Sequence, residues 1–151
     1  MSNGNNKIFH ILARGIIIDN DSILVARLKN GNSTFLPGGH LEFNENLKQT
    51  LERELFEEIG IKGNINEYIG CLEAKWMENN IYNQEINHIF IVNGVNKNIN
   101  IKSMENHLEI YWLKICDDEM EKENLLPYSM REIVKNIKNN EYGIKYISEV
   151  E

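Results

Sequence analysis

The chain has 151 residues, 42% hydrophobic and 26% charged, a size that favours one domain over residues 1–151 and leaves no room for two full cores. Its 16 Lys+Arg against 23 Asp+Glu give a net charge of −7, which excludes a general attraction to nucleic acid or anionic lipid and leaves only a local basic pocket. Cys71 and Cys116 form neither a disulfide framework nor a CxxC metal site, and neither the polar residues 1–7 nor any later stretch has the apolar run of a signal or membrane span, so a cytoplasmic, membrane-free setting is expected.

Residues 8–18 are β-branched and almost continuously apolar, the pattern of a buried strand, and Asp19, Asn20, Asp21 and Ser22 turn it. Residues 23–28 read as a second strand and residues 29–33 as a loop. Thr34, Phe35 and Leu36 read as a short strand ended by Pro37, Gly38 and Gly39, because proline supplies no ladder donor. The spacing then predicts a helix. Leu47, Leu51, Leu55 and Ile59 recur every fourth residue, Asn44 is expected to cap the start, and Gly60 to stop the end. Residues 65–75 and 86–92 read as strands across a polar turn at Glu78, Asn79 and Asn80, and residues 109–115 as another. Between the last two, the asparagine-rich residues 93–106 are expected to form a loop carrying a short edge strand at 99–101. A last helix is expected to begin near Pro127 with Met130, Ile133, Val134 and Ile137 on one face. The tail from Glu141 carries no decisive pattern. With neither repeat nor linker, this order suggests an α/β sandwich around a mixed sheet.

The charges of the first helix are in the wrong place. At about 100° per residue the apolar positions form one stripe, yet Glu58 falls inside it, Glu54 at its edge and Glu57 on the same flank. Spacings of three and four residues make these carboxylates neighbours, and each like-charged pair costs a helix about 0.2–0.5 kcal/mol. Arg53, four residues before Glu57, can hold one carboxylate in a fork but cannot neutralise three. A hard divalent cation can, since Mg²⁺ or Mn²⁺ takes carboxylates, waters and phosphates together, with carbonyls of the Pro37, Gly38, Gly39 turn as further ligands. The competing reading is an acidic helix whose glutamates simply face water.

Gly39, five residues, Glu45, seven residues, then Arg53, Glu54, Leu55, Phe56, Glu57, Glu58, Ile59, Gly60 and Ile61 is similar to the complete Nudix signature, GX5EX7REUXEEXGU, over residues 39–61. So many positions at rigid spacing are far more specific than a lone glycine motif. The resemblance implies a Nudix-like α/β/α sandwich around a mixed β-sheet. It also implies hydrolysis of a nucleoside diphosphate linked to another moiety, using Mg²⁺ or Mn²⁺. In family terms Glu57 and Glu58 bind metal, Glu54 binds metal or acts as general base, and Arg53 orients a glutamate. Glu45 and Gly39 support the site, and the Gly38 carbonyl is a further ligand. Many relatives add a base or ligand from a later loop. Glu109 is the first candidate here, Glu85 the second, and Glu105 remains open.

Other residues fit a phosphate or a base. Arg14 and Arg27, on apolar strands of an acidic protein, and His40, after the glycines, are candidates for phosphate contact. Trp76, Tyr82, Phe43 and Trp112 are candidates to stack on a base, with core packing as the competing role. His88 and His107 lack a second ligand at metal spacing. The expected partner is thus a small nucleoside diphosphate derivative, without extended nucleic acid or membrane, and a homodimer is compatible. The alternative is a nucleotide-binding or sensing module that keeps the fold without cleaving. Action on the 5′ end of RNA is a third reading, which needs only a local pocket.

Overall fold

The structure is a computed structural model and describes residues 6–141 and 143–151. Residues 1–5 of the polar lead-in and Tyr142 of the tail lie outside the described residues. The chain order is β1 (Lys7–Ile16), β2 (Ile18–Asp19), β3 (Ser22–Leu28), β4 (Gly38–His40), α1 (Leu47–Ile59), β5 (Asn64–Glu78), β6 (Ile81–Asn93), β7 (Leu108–Lys114), α2 (Asp117–Lys122), α3 (Met130–Lys138) and β8 (Lys145–Ser148).

The strands form a five-stranded mixed sheet, ordered β4-β1-β6-β5-β8, and a three-stranded antiparallel sheet, β2-β3-β7. In the larger sheet β1 runs parallel to β6 and β5 to β8, while β1–β4 and β5–β6 are antiparallel. The apolar stripes of the helices decide the layering. Leu51, Leu55 and Ile59 of α1 pack with Ala13, Ile17, Leu24, Phe90 and Val92. Met130, Val134 and Ile137 of α3 pack in a second cluster with Ile16, Ile23, Val25, Leu72 and Ile89. Helices thus flank the sheets as the expected α/β/α sandwich. Among the described residues no helix is long and apolar enough to cross a membrane.

Several local expectations are corrected. Asn44 is not the cap of α1: it sits in a left-handed turn with φ 67°. Asn46 caps instead, its side chain accepting from the Gln49 N–H while the Gln49 side chain accepts from the Asn46 N–H, a reciprocal pair that satisfies two orphan donors. Gly60 ends the helix as expected, at φ 69°. Thr34 and Phe35 form only isolated bridges, because their backbone bonds are divided between Ala26 on one side and residues 124–126 on the other. The glycines do not end a strand but open one. Gly38 and Gly39 pair with Arg14 and Ala13 in β4, and at Gly38, where φ is 139°, a Cβ would overlap the Ala13 carbonyl.

No strand forms at 99–101; that loop is pinned by Lys97 N–H to Asp19 and by Met104 N–H to the Glu58 carbonyl at 2.8 Å. The last helix starts three residues beyond Pro127, which lies in the preceding turn. Helix α2, with Met120 as its one buried residue, and strand β8 are absent from the sequence reading.

Because Asn46 supplies the cap and Asn44 does not, Asn46→Ala is expected to cost about 1 kcal/mol, whereas Asn44→Gly, at a positive φ, costs next to nothing. Urea unfolding of the two variants checks the contrast.

Candidate active site

The site lies where β4 crosses the flank of α1. Arg53 is its hub: Nε donates to Glu45 at 2.6 Å, Nη1 to Glu54 at 2.9 Å and to Glu57 at 3.4 Å, and Nη2 to the His40 carbonyl at 3.1 Å. Glu45 also accepts from the Thr50 hydroxyl at 2.9 Å. The Arg53 hydrogen bond, reinforced by Thr50, holds the Glu45 carboxyl down at about 2. Glu45, Arg53, Glu54, Glu57, Glu58, Gly38 and Gly39 are therefore brought together as the spacing required.

The three helix glutamates sit in different surroundings. Glu57 is exposed (side chain 48%), Glu54 is partly buried, and Glu58 is only 4% exposed. Burial raises the Glu54 carboxyl above its ordinary value, against the pull of Arg53. For Glu58 burial dominates, and its carboxyl is pushed up to about 8 despite the opposing charge of Arg14 and a hydrogen bond from the Gly38 N–H at 3.3 Å. That N–H is its one hydrogen-bond partner among the described residues. The Glu54 carboxylate lies against the Cα of Gly39, where any side chain would overlap it. This close approach is a physical reason for the glycine at position 39.

Arg14 continues the site onto the sheet. Its guanidinium is closely surrounded by protein, and the residue lines a cleft of about 650 Å³. Nη1 donates to the Leu36 carbonyl at 3.0 Å and Nε to Asn87 Oδ1 at 3.4 Å. Desolvation lowers its pKa, opposed by the charges of Glu85, Glu58 and Glu54, so Arg14 lies within electrostatic reach of the helix glutamates while it lines the cleft. Phe35, Trp76 and Tyr128 line that cleft together with polar and charged residues that include Lys75, Glu78, Glu85 and Asn87. Of the four aromatic candidates, Trp76 alone lines it. Phe43 is 95% exposed and Trp112 packs against the α1 core.

Three expectations need correction. Glu109 is not beside the helix glutamates: it faces Arg27 across β3–β7 and accepts from it at 2.8 Å. Arg27 is bonded to Glu109 and to Glu123, the latter at 3.2 Å, lies over the Tyr111 ring, and is not among the residues that line the cleft. The later carboxylate that acts electrostatically on Glu54 and Glu58 is Glu105, carried there by the loop that Met104 anchors to α1. His40 is exposed on β4, is not among the residues that line the cleft, and has its ring bonded to His10. Asn83 donates to the Ile81 carbonyl and so presents Oδ1 to His10 Nε2 at 2.8 Å. His10 Nδ1 is then left to accept from His40 Nε2 at 2.8 Å. Burial, with His10 and Arg14 nearby, lowers the His40 pKa, which weakens the case for a cationic phosphate contact.

His10, Asn83 and Asn87 were missed by sequence reasoning. The signal was the recurrence of Asn83, Glu85 and Asn87 at every second position of β6, which places them on one sheet face, although Gln84 between them blurs the alternation. Asn83 and Asn87 are both buried.

A NUDIX domain family model matches residues 9–135. The chain belongs to the NUDIX family. It is accordingly a Nudix-type hydrolase acting on phosphoric anhydride bonds. The fold is similar to that of a MutT protein from Methanosarcina mazei Go1, with 23% identity, a TM-score of 0.70, and 89% of this chain and 96% of that one covered. It is also similar to a mutator MutT protein from Bacillus halodurans, with 18% identity and a TM-score of 0.67 over 91% of this chain and 86% of that one. A UDP-X diphosphatase matches at 16% identity and a TM-score of 0.67, over 93% and 67% respectively.

The donors of this NUDIX site fit a hard divalent cation in chemistry. They are carboxylate oxygens, one of them on a nearly inaccessible side chain whose charge no neighbouring cation contacts. Among the described residues no three His, Cys, Asp or Glu side chains already form a metal cage. Glu54 and Glu57 are engaged by Arg53 instead.

Two predictions follow from this geometry. Gly39→Ala is expected to leave the fold intact, displace the Glu54 carboxylate and lower activity about 100-fold, which circular dichroism and a turnover assay on the same preparation check. In metal-free protein, folded Glu58 keeps its proton to about pH 8, whereas an ordinary glutamate loses it near 4.5. The folded state binds the extra proton between these values, so the contribution of Glu58 to stability is full below about 4.5 and declines as pH rises towards 8. Glu58→Gln is expected to remove that decline, measured as the difference between wild-type and variant melting temperatures across the interval in chelator.

Proposed function

We propose that this protein is a metal-dependent pyrophosphohydrolase that cleaves the diphosphate of a nucleoside diphosphate linked to another moiety. Its cofactor is Mg²⁺ or Mn²⁺, its substrate is a small molecule, and its setting is cytoplasmic. The observation that carries the reading is Glu58, a nearly inaccessible carboxylate that among the described residues meets one N–H and stands, with Glu54, within electrostatic reach of the Arg14 guanidinium. A buried anion of this kind is expensive unless a cation joins it.

In this reading Glu57 and Glu58, with the Gly38 carbonyl, would hold the metal. When bound, the ion neutralises the diphosphate and lowers the pKa of a coordinated water. The protein's own residues do the rest. Arg53, clamped by Glu45, fixes the direction of Glu54. Glu54, whose raised pKa suits proton transfer, takes the proton of the attacking water, with Glu105 as the second carboxylate within electrostatic reach. Arg14, which lines the cleft, holds a substrate phosphate. Trp76, Phe35 and Tyr128 enclose the nucleoside. The UDP-X diphosphatase of similar fold is named for a linkage of this type.

Glu57→Gln and Glu58→Gln are expected to lower kcat by about 10²–10⁴-fold with the fold preserved. The assay is release of nucleoside monophosphate from ADP-ribose, a dinucleoside polyphosphate and a nucleotide sugar, with Mg²⁺ or Mn²⁺. Equal turnover by wild type and variants would overturn the assignment, and tight nucleotide binding without product would mark a sensing module instead.

A further inference from the structure

Beyond the helix glutamates the cleft is lined by Glu78, Glu85 and Glu149, and among the described residues Glu85 alone of these is bonded to the side chain that also holds Arg14. Glu85 of β6 is half-buried and lines the cleft, yet it forms no ion pair among the described residues. Its Oε1 accepts from Asn87 Nδ2 at 2.9 Å, and Asn87 Oδ1 in turn accepts from Arg14 Nε at 3.4 Å. Asn87 is 1% exposed and is fixed further by the Leu72 carbonyl, to which Nδ2 donates at 3.3 Å. An anion and a cation are thereby held one side-chain amide apart on the same sheet face.

Each member of this pair has an unused edge. No hydrogen bond from the described residues reaches Glu85 Oε2, and Arg14 Nη2 donates to none of them. A pair whose whole purpose was mutual neutralisation would close to direct contact, which gives charge-assisted bonds about twice as strong as neutral ones. The buried Asn87 prevents that closure and keeps both groups facing the cleft.

The chemistry of the two edges differs. Arg14 offers donors and positive charge, which suit a phosphate. Glu85 offers only an acceptor, repels phosphate, and therefore suits a hydroxyl or amine of the ligand. Ala74, directly opposite Glu85 across β5–β6, leaves room above the carboxylate, with Trp76 alongside in the cleft wall. A span of one amide is too short to run from a 5′-phosphate to the far edge of a base, but it matches the span from that phosphate to a hydroxyl of the same sugar.

We propose that Glu85 is a specificity-determining residue that accepts a hydrogen bond from a ribose hydroxyl of the nucleotide whose phosphate Arg14 holds, so that the substrates are ribonucleotide derivatives. This rests on the diphosphatase reading and narrows its substrate class. Asn87 is the positioning residue that keeps acceptor and guanidinium apart.

The test uses matched ribo- and 2′,3′-dideoxynucleoside diphosphate derivatives as substrates, and the corresponding monophosphates as ligands in calorimetry. Wild type is expected to favour the ribo form by about 10–100-fold in kcat/KM and in affinity, the range for a hydrogen bond to a charged group. Glu85→Ala is expected to treat the two forms alike within about threefold, the ribo form falling much further than the dideoxy form, and Glu85→Gln to lie between. Melting temperatures establish that both variants fold. No preference in wild type, a preference that survives in Glu85→Ala, or an equal fall on both substrates would overturn the inference, the last making Glu85 a mere counter-charge to Arg14. Hydrolysis without discrimination sinks the sugar reading alone. Discriminating binding without hydrolysis upholds it and sinks the diphosphatase reading, while absence of both hydrolysis and monophosphate binding sinks both.

Discussion

A carboxylate that is 4% exposed and meets one N–H is the constraint around which this molecule is arranged. Glu58 occupies a position in the apolar stripe of α1 that packing alone would give to leucine, and its burial raises the cost of its charge. The remaining features limit that cost without removing it. The Gly38 N–H contacts the carboxylate directly, and Arg14 supplies positive potential from the sheet. Arg53 does not reach Glu58 but restrains Glu54 and Glu57, so the like charges beside it are held in defined places. The balance is incomplete in the protein alone, and a divalent ion would complete it.

The tight turn at Gly38 and Gly39 belongs to the same constraint. Gly38 approaches β1 so closely that a Cβ would meet the Ala13 carbonyl, and Gly39 leaves the volume that the Glu54 carboxylate fills. One glycine serves the backbone and the other the side chain of a different element. Strand β4 is therefore both an edge of the sheet and one wall of the site.

The helix and its charge pattern were legible because they are local. Apolar residues every fourth position fix α1, and Glu54, Glu57 and Glu58 then occupy known angles on the wheel. The capping residue was misplaced by two because Asn44 and Asn46 are chemically identical, and only the reciprocal bond with Gln49 distinguishes them. Contacts between distant segments were not legible. Glu109 and Arg27 are 82 residues apart in sequence and meet through the β3–β7 register, which no local pattern specifies. Glu105 reaches the site through one backbone bond from Met104 to the Glu58 carbonyl. Strand β8 is a four-residue segment held by pairing with β5, so its own sequence carries little of the information that makes it a strand.

The division of labour between helix and sheet explains why the sequence speaks clearly about the reaction and faintly about the ligand. The helix residues that would handle the diphosphate are concentrated within residues 39–61, where spacing alone orders them. The cleft draws on β1, β5 and β6, the segment around Phe35 and the turn before α3, so its chemistry exists only once the sheet has assembled. Arg14 touches both parts, its charge acting on Glu54 and Glu58 while its bonds run to Leu36 and Asn87. A change on β6 can therefore alter which ligand fits without moving any residue of α1, and Arg14 is the route by which occupancy of the cleft would be felt electrostatically at the helix.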